Sequence, residues 1–304
     1  MAYLLVLIGF VLLIKGADIF VEGASSIAKR FHIPEMIIGL TIVAMGTSLP
    51  ELSVSFISAL NGQSDMSIAN AIGSNIFNVL MILGVSAFIK TLPIKQSSIN
   101  DIFILITATA LLLVLSYFGL SLVWFDGLIM LCLFAYFIRK MIKESKDNDN
   151  KENSEPLSMI RTIIYIVLGA IGIIYGGTLV VDGATAIAKV FGMSDNLIGL
   201  TVVALGTSLP EFVTSVIATK KGKLDIAIGN VIGSNIFNIL FVLGVSSLFS
   251  TLTVSAVTLI DIFFSLFITL ALLCVACKFK KINKLSGVTF IILYISYMIF
   301  TIIR

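Results

Sequence analysis

The sequence predicts an all-α integral membrane protein, ten transmembrane helices arranged as two inverted five-helix repeats. Three observations carry that expectation. Apolar runs long enough to cross about 30 Å of hydrocarbon recur along the 304 residues. The basic residues fall on one side when those runs are laid alternately across a bilayer. The chain also matches itself at an offset of 160 residues.

With 58% hydrophobic and only 12% charged residues, the chain is excluded from the water-soluble globular domains. A charge inside an apolar run costs at least about 2.5 kcal/mol, so each one needs a reason. Three cysteines and one histidine are too few for a disulfide framework or a soft-metal cluster. Cys274 and Cys277 lie in an uninterrupted apolar run and read as small packing residues. The net charge of +3 is set by topology and does not point to nucleic acid.

The predicted spans fall at 3–29, 35–60, 66–89, 99–118, 121–142, 159–188, 195–219, 225–249, 257–277 and 285–303. The first begins MAYLLVLIGF, without a basic n-region or a small-residue cleavage site, and reads as a retained helix. One connection is long and polar, KESKDNDNKENSEP within 143–158, with the composition of a linker. It separates a first repeat, 1–142, from a second, 159–304. Seventeen of the 20 Lys and Arg collect on the side of that linker, which is therefore expected in the cytoplasm, with both termini outside.

Gly39 to Ser55 matches Gly199 to Ser215 at 12 of 17 positions, and Asn70 to Ser86 matches Asn230 to Ser246 at 13 of 17. The matches include Gly, Pro, Ser, Thr, Asn and Glu, which apolar bias does not produce. Five spans per copy is an odd number, so the second copy must insert upside down. That is the plan of secondary transporters, whose sites lie where the repeats meet at mid-membrane.

Two segments repeat the chemistry. Gly46-Thr47-Ser48-Leu49-Pro50-Glu51 and Gly206-Thr207-Ser208-Leu209-Pro210-Glu211 each carry a carboxylate into the bilayer beside a proline. Proline has no N–H and crowds the carbonyl four residues back, so the Gly46 and Gly206 carbonyls lose their helical partner. Neighbouring carbonyls, including those of Thr47 and Thr207, are then free to tilt towards a ligand. Gly73-Ser74-Asn75-Ile76-Phe77-Asn78 and Gly233-Ser234-Asn235-Ile236-Phe237-Asn238 add hydroxyls and amides, with Ser74 and Asn78, and likewise Ser234 and Asn238, on one helix face. The pooled donors are hard oxygens. Ca2+ takes six to eight of them, and two bidentate glutamates with the Thr47 and Thr207 carbonyls supply six.

Other polar residues have local readings. Asp65 and Asp225 precede spans in both repeats and are expected to cap them, with cation attraction at the mouth as the alternative. Lys15, Asp18 and Glu22 are spaced for an ion pair within the first helix, with Asp182 matching Glu22 in the second repeat. Asn75 and Asn235 are expected to support the break structurally, and the Ser74 and Ser234 hydroxyls have their own i−4 carbonyls as alternative partners. His32 reads as an interfacial residue.

The GTSLPE and GSNIFN segments, each present twice, resemble the alpha-repeats of the cation/calcium exchanger superfamily, specifically the Na+/Ca2+ exchangers, and the likeness extends over the ten-span plan. The resemblance implies that Glu51 and Glu211 bind Ca2+ and also serve Na+, with Thr47 and Thr207 as carbonyl ligands to Ca2+. Ala44, Ser48, Ser74, Ala204, Ser208 and Ser234 match the family's Na+ positions, and Asn78 and Asn238 its central polar positions. It further implies three Na+ per Ca2+, electrogenic exchange without a cofactor, and the first and sixth helices sliding over a static core. Some relatives, including K+-dependent ones, have Asp at the position of Asn238. A monomer in the cell membrane is expected, with Ca2+, Na+ and lipid as its partners. An H+/Ca2+ exchanger is the nearest alternative and a cation channel a more distant one. An enzyme is not expected, because an intramembrane hydrolase would need a His or Asp dyad that the apolar runs lack.

Overall fold

The computed structural model describes residues 2–146, 155–192 and 204–303. Residues 147–154 of the linker, 195–203 of the seventh predicted span, and Arg304 lie outside them, as does the side chain of Ala204. The described chain is helical, apart from four two-residue strands. In order come α1 (Ala2–Arg30), α2 (Glu35–Thr47), α3 (Leu49–Leu60), α4 (Ser64–Ile89), α5 (Gln96–Gly119) and α6 (Trp124–Lys146). After the linker come α7 (Met159–Val190), α8 (Ala204–Thr207), α9 (Leu209–Lys220), α10 (Leu224–Phe249), α11 (Ala256–Phe279) and α12 (Lys284–Ile303). Among the described residues, seven helices are long and apolar enough to cross a membrane, and the pair α2 and α3 adds one span bent by 49°. The α6 helix is also long, but it carries Asp126 at one end and Arg139, Lys140 and Lys143 at the other.

Two helices form the centre. Ninety-four per cent of the apolar window of α10 and 72% of that of α4 are buried, against 33% for α1 and 28% for α7. The central helices include π-helical turns at Asn78–Ile82 and Phe237–Val242, and α2 has one at Gly39–Val43, ahead of the GTSLPE segment. Such turns insert a residue into the helical ladder and are frequent at functional sites. Two short antiparallel pairings tie connections together: β1 (Leu92–Pro93) with β4 (Lys281–Ile282), and β2 (Ser121–Leu122) with β3 (Leu252–Thr253).

The outer helices α1 and α7 run antiparallel at very close range. Gly9, Gly16 and Gly23 recur every seven residues, as do Gly169, Gly176 and Gly183, so each set lines one face. A Cβ on Gly9 would sit 2.8 Å from the Gly176 carbonyl oxygen, one on Gly16 2.8 Å from the Ile173 nitrogen, and one on Gly176 2.6 Å from the Leu13 nitrogen. Small residues let backbones touch in this way, and dispersion replaces the hydrophobic drive that a bilayer lacks.

Several local expectations are overturned. Asp65 and Asp225 do not cap α4 and α10, whose N-cap residues are Gln63 and Lys223 without side-chain caps. Asp65 accepts from the Thr258 hydroxyl at 3.1 Å, and Asp225 pairs with Lys95 at 2.5 Å. Asp18 and Glu22 find their cation in Lys221, at 2.9 and 3.6 Å, rather than in Lys15 of their own helix. In each case a charged or hydroxyl group from another element satisfies the carboxylate better than the local option. Cys132, Cys274 and Cys277 are free and exposed.

The glycine seam is testable by a single methyl. Alanine has the better helix propensity by about 1 kcal/mol, yet overpacking against backbone costs about 1–3 kcal/mol. Gly176→Ala is therefore expected to lower the thermal unfolding midpoint of the detergent-solubilised protein. A midpoint equal to or above that of the unsubstituted chain would contradict the close approach.

Candidate cation-binding site

The site begins where helices break. Ser48 separates α2 from α3 with φ −88° and ψ 11°, and Ser208 separates α8 from α9 with φ −87° and ψ 2°. Pro50 and Pro210 follow within the first two positions of the new helices, where a missing N–H does no harm. Glu51 and Glu211 thereby fall in the first turns of α3 and α9, at the end of a helix whose dipole favours negative charge. Both are wholly buried.

A serine at a helix start ordinarily caps its own backbone. Here neither does. Ser48 donates its hydroxyl to Glu211 Oε1 at 2.7 Å, and Ser208 lies 3.1 Å from Glu51 Oε1 and 2.9 Å from Ser74 Oγ. Ser74 in turn is 3.4 Å from Glu51 Oε1, and Ser234 is 3.4 Å from the Ala44 carbonyl oxygen, so the i−4 alternative is not what these hydroxyls adopt. Each half of the chain thus holds the carboxylate of the other. The two breaks are brought face to face.

Asn70 and Asn230, which sequence reasoning did not single out, brace the breaks. Asn70 Nδ2 donates to the Glu51 carbonyl at 3.2 Å and to Ser55 Oγ at 2.9 Å, while its Oδ1 lies 3.4 Å from the Thr207 hydroxyl. Asn230 repeats the arrangement with the Glu211 carbonyl at 3.4 Å, Ser215 Oγ at 2.9 Å and the Thr47 hydroxyl at 3.2 Å. Their presence at matching positions of both repeats was the available signal. The Thr47 hydroxyl also lies 3.1 Å from the Val43 carbonyl oxygen, one turn back on its own helix.

Next along α4 and α10 is a second reciprocal set. Asn75 Nδ2 donates to the Asn235 carbonyl at 3.1 Å and Asn235 Nδ2 to the Asn75 carbonyl at 3.2 Å. Asn78 Nδ2 donates to Asn235 Oδ1 at 2.9 Å, and Asn238 Nδ2 to Asn75 Oδ1 at 3.2 Å. Asn75 and Asn235 therefore have a structural role, and it is to join the two halves.

Glu51 Oε2, Glu211 Oε2, Asn78 Oδ1 and Asn238 Oδ1 are buried without a hydrogen-bond partner among the described residues. Leaving such atoms unmatched costs about 1–3 kcal/mol each, more for a charged group. All four are oxygens, the donor type that hard cations take. Among the described residues no group of three or more His, Cys, Asp or Glu is gathered to hold a metal ion.

A sequence profile of the family described as sodium/calcium exchanger protein matches residues 1–142 and 161–303, nearly the whole chain. The chain belongs to the sodium/calcium exchanger family. CaxA of Alkalimonas amylolytica is 44% identical over 258 residues, covering 82% of this chain and 81% of its own. The sodium/calcium exchanger MaX1 of Methanosarcina acetivorans is 34% identical over 294 residues, with 83% and 84% covered. The solved sodium-calcium exchanger NCX_Mj, soaked with Na+ and Sr2+, superposes with a TM-score of 0.88 at 35% identity, covering 97% of this chain and 96% of that one. This exchanger-family chain is accordingly a multi-pass membrane protein of a transporter family. Its identity with these relatives spans both halves.

Removing one of the two acids tests the site. Glu51→Gln and Glu211→Gln keep an oxygen for Ser208 and Ser48, respectively, so folding and monodispersity should survive. Each halves the anionic charge, and Ca2+ affinity measured by calorimetry is expected to fall at least a hundredfold, about 2.7 kcal/mol. Undiminished binding by either variant would mean the ion sits elsewhere.

Proposed function

We propose that this chain is a secondary active antiporter that exchanges Ca2+ for Na+ across the cell membrane by alternating access, three Na+ for one Ca2+, without a cofactor. Glu51 and Glu211 with the Thr47 and Thr207 carbonyls hold Ca2+. Glu51 and Glu211 with Ala44, Ser48, Ser74, Ala204, Ser208 and Ser234 hold Na+, and Asn78 and Asn238 occupy the centre between them. The observation that carries this reading is the reciprocal pair of bonds, Ser48 to Glu211 and Ser208 to Glu51, which gathers two buried acids from the two halves.

The coupling follows from electrostatics. Two carboxylates in an apolar interior repel, and the cost of burying them is large unless opposite charge is present. A site filled by one Ca2+ or by several Na+ can be closed off from both sides, whereas an empty one resists closure. Cations that favour the closed form differentially are what shift such an equilibrium. Because the same two acids serve both ions, Ca2+ and Na+ compete, and one must leave for the other to be carried.

The architecture we propose is ten spans in two inverted five-helix repeats, 1–142 and 159–304, joined by a cytoplasmic linker at 143–158, with both termini outside. The strand pairings support it. Inversion places the connection after the third span on the same face as that after the ninth, where β1 meets β4, and the connection after the fourth with that after the eighth, where β2 meets β3. The antiparallel glycine rows of α1 and α7, 160 residues apart, fit the same operation. The chain acts as a monomer, since each copy carries both acids.

Proteoliposomes loaded with Na+ should accumulate 45Ca2+ only when diluted into Na+-free medium. Each turnover exports one net positive charge, so valinomycin with equal K+ on both sides should accelerate uptake. Uptake driven by a pH gradient in the absence of Na+ would instead identify an H+/Ca2+ exchanger.

A further inference from the structure

The four central asparagines contain a fixed orientation that nothing in the proposed ligand set explains. An amide side chain has one oxygen and one nitrogen of similar shape, and which faces a given direction is decided by its hydrogen-bond network. Here the network has an unambiguous anchor. Asn75 and Asn235 each face a main-chain carbonyl of the other, Asn235 O at 3.1 Å and Asn75 O at 3.2 Å. A carbonyl only accepts, so both must present Nδ2 to it. Their Oδ1 atoms are then turned to Asn238 and Asn78, at 3.2 and 2.9 Å, and an oxygen can receive only a donor. Asn78 and Asn238 must in turn offer Nδ2, which leaves Asn78 Oδ1 and Asn238 Oδ1 buried and unpartnered. Each is one helical turn along the same face from Ser74 or Ser234, the serines beside the acids.

We propose that Asn75 and Asn235 are positioning residues that set the amide polarity of Asn238 and Asn78, so that both central side chains turn oxygen, not nitrogen, towards the transported cation. The inference rests on the Ca2+/Na+ reading above and deepens it. If Asn238 or Asn78 rotated by half a turn, an NH2 group would face the cation and repel it. The arrangement supplies two neutral oxygens while the site keeps the charge of its two glutamates alone. A carboxylate at position 238 needs no such control, because both of its oxygens are alike.

That last point provides the test. Asn75→Leu removes the acceptor that orients Asn238, and the KM for 45Ca2+ and the calorimetric Ca2+ affinity should both worsen at least tenfold, with the maximal exchange rate within about threefold. In the Asn238→Asp background the same Asn75→Leu change should cost less than twofold, since orientation no longer matters there. A merely structural asparagine would lower the thermal unfolding midpoint and the maximal rate together with the affinity, and that result, the same loss in both backgrounds, or no loss in either, would overturn the proposal. If Asn75→Leu does not yield folded protein, Asn235→Leu with Asn78→Asp provides the same cycle in the other half. Failure of the underlying reading is distinguishable. In that case the unsubstituted protein itself would lack Na+-dependent 45Ca2+ exchange, or Glu51→Gln would retain it, whatever the asparagine cycle gives.

Discussion

Two acidic side chains withdrawn completely from water are the constraint on which the rest of this molecule depends. Each carboxylate has one oxygen engaged by a serine of the opposite half and one without a partner among the described residues. The engaged oxygen fixes where the group points. The other gives it a use. An interior that stranded such atoms would be expensive to fold, so the surrounding structure must make the cost tolerable. It does so with the first turns of two broken helices, with hydroxyls, and with amides whose nitrogens are already committed elsewhere.

Breaking the helices is therefore not a flaw in the packing. The missing N–H groups of Pro50 and Pro210 and the non-helical angles at Ser48 and Ser208 leave carbonyls at the centre that a continuous helix would have consumed. Asn70 and Asn230 then limit the damage, each holding the carbonyl of the adjacent glutamate while reaching across to a threonine of the other half. The breaks are cross-braced against each other. The π-helical turns at Asn78–Ile82 and Phe237–Val242 continue the same theme one step along the central helices.

Much of the site was legible because its residues are chemically improbable where they stand. A Pro-Glu pair in an apolar run cannot be mistaken for hydrophobic bias, and its recurrence at the same offset as Asn70 to Ser86 pointed to a shared centre. What escaped notice was either small or dependent on a distant partner. The glycine rows of α1 and α7 were countable at seven-residue spacing, yet glycine in an apolar helix carries no charge to draw attention. Asp65 and Asp225 looked like caps because capping is the local option. Thr258 and Lys95, nearly two hundred and more than a hundred residues away, decide the matter instead. Sequence spacing alone does not weigh a local partner against one that folding delivers.

Near-duplication also isolates what is not duplicated. Lys221 holds Asp18 and Glu22, and Lys223 holds Glu35 at 2.7 Å, fastening α1 and α2 to the turn before α10. The counterparts of these lysines, 160 residues earlier, are Asn61 and Gln63, which carry no charge. Partly exposed pairs contribute about 0–1 kcal/mol each and weaken with salt, so they do not hold the fold together. The buried amides and the glycine seam do that. At a centre so nearly two-fold, however, even 1 kcal/mol applied to one side alters a population ratio by about fivefold. Helix-end residues such as these are thus one physical source of inequality between the two faces, beside the serines at the acids, where Ser74 lies against Glu51 but Ser234 against the Ala44 carbonyl.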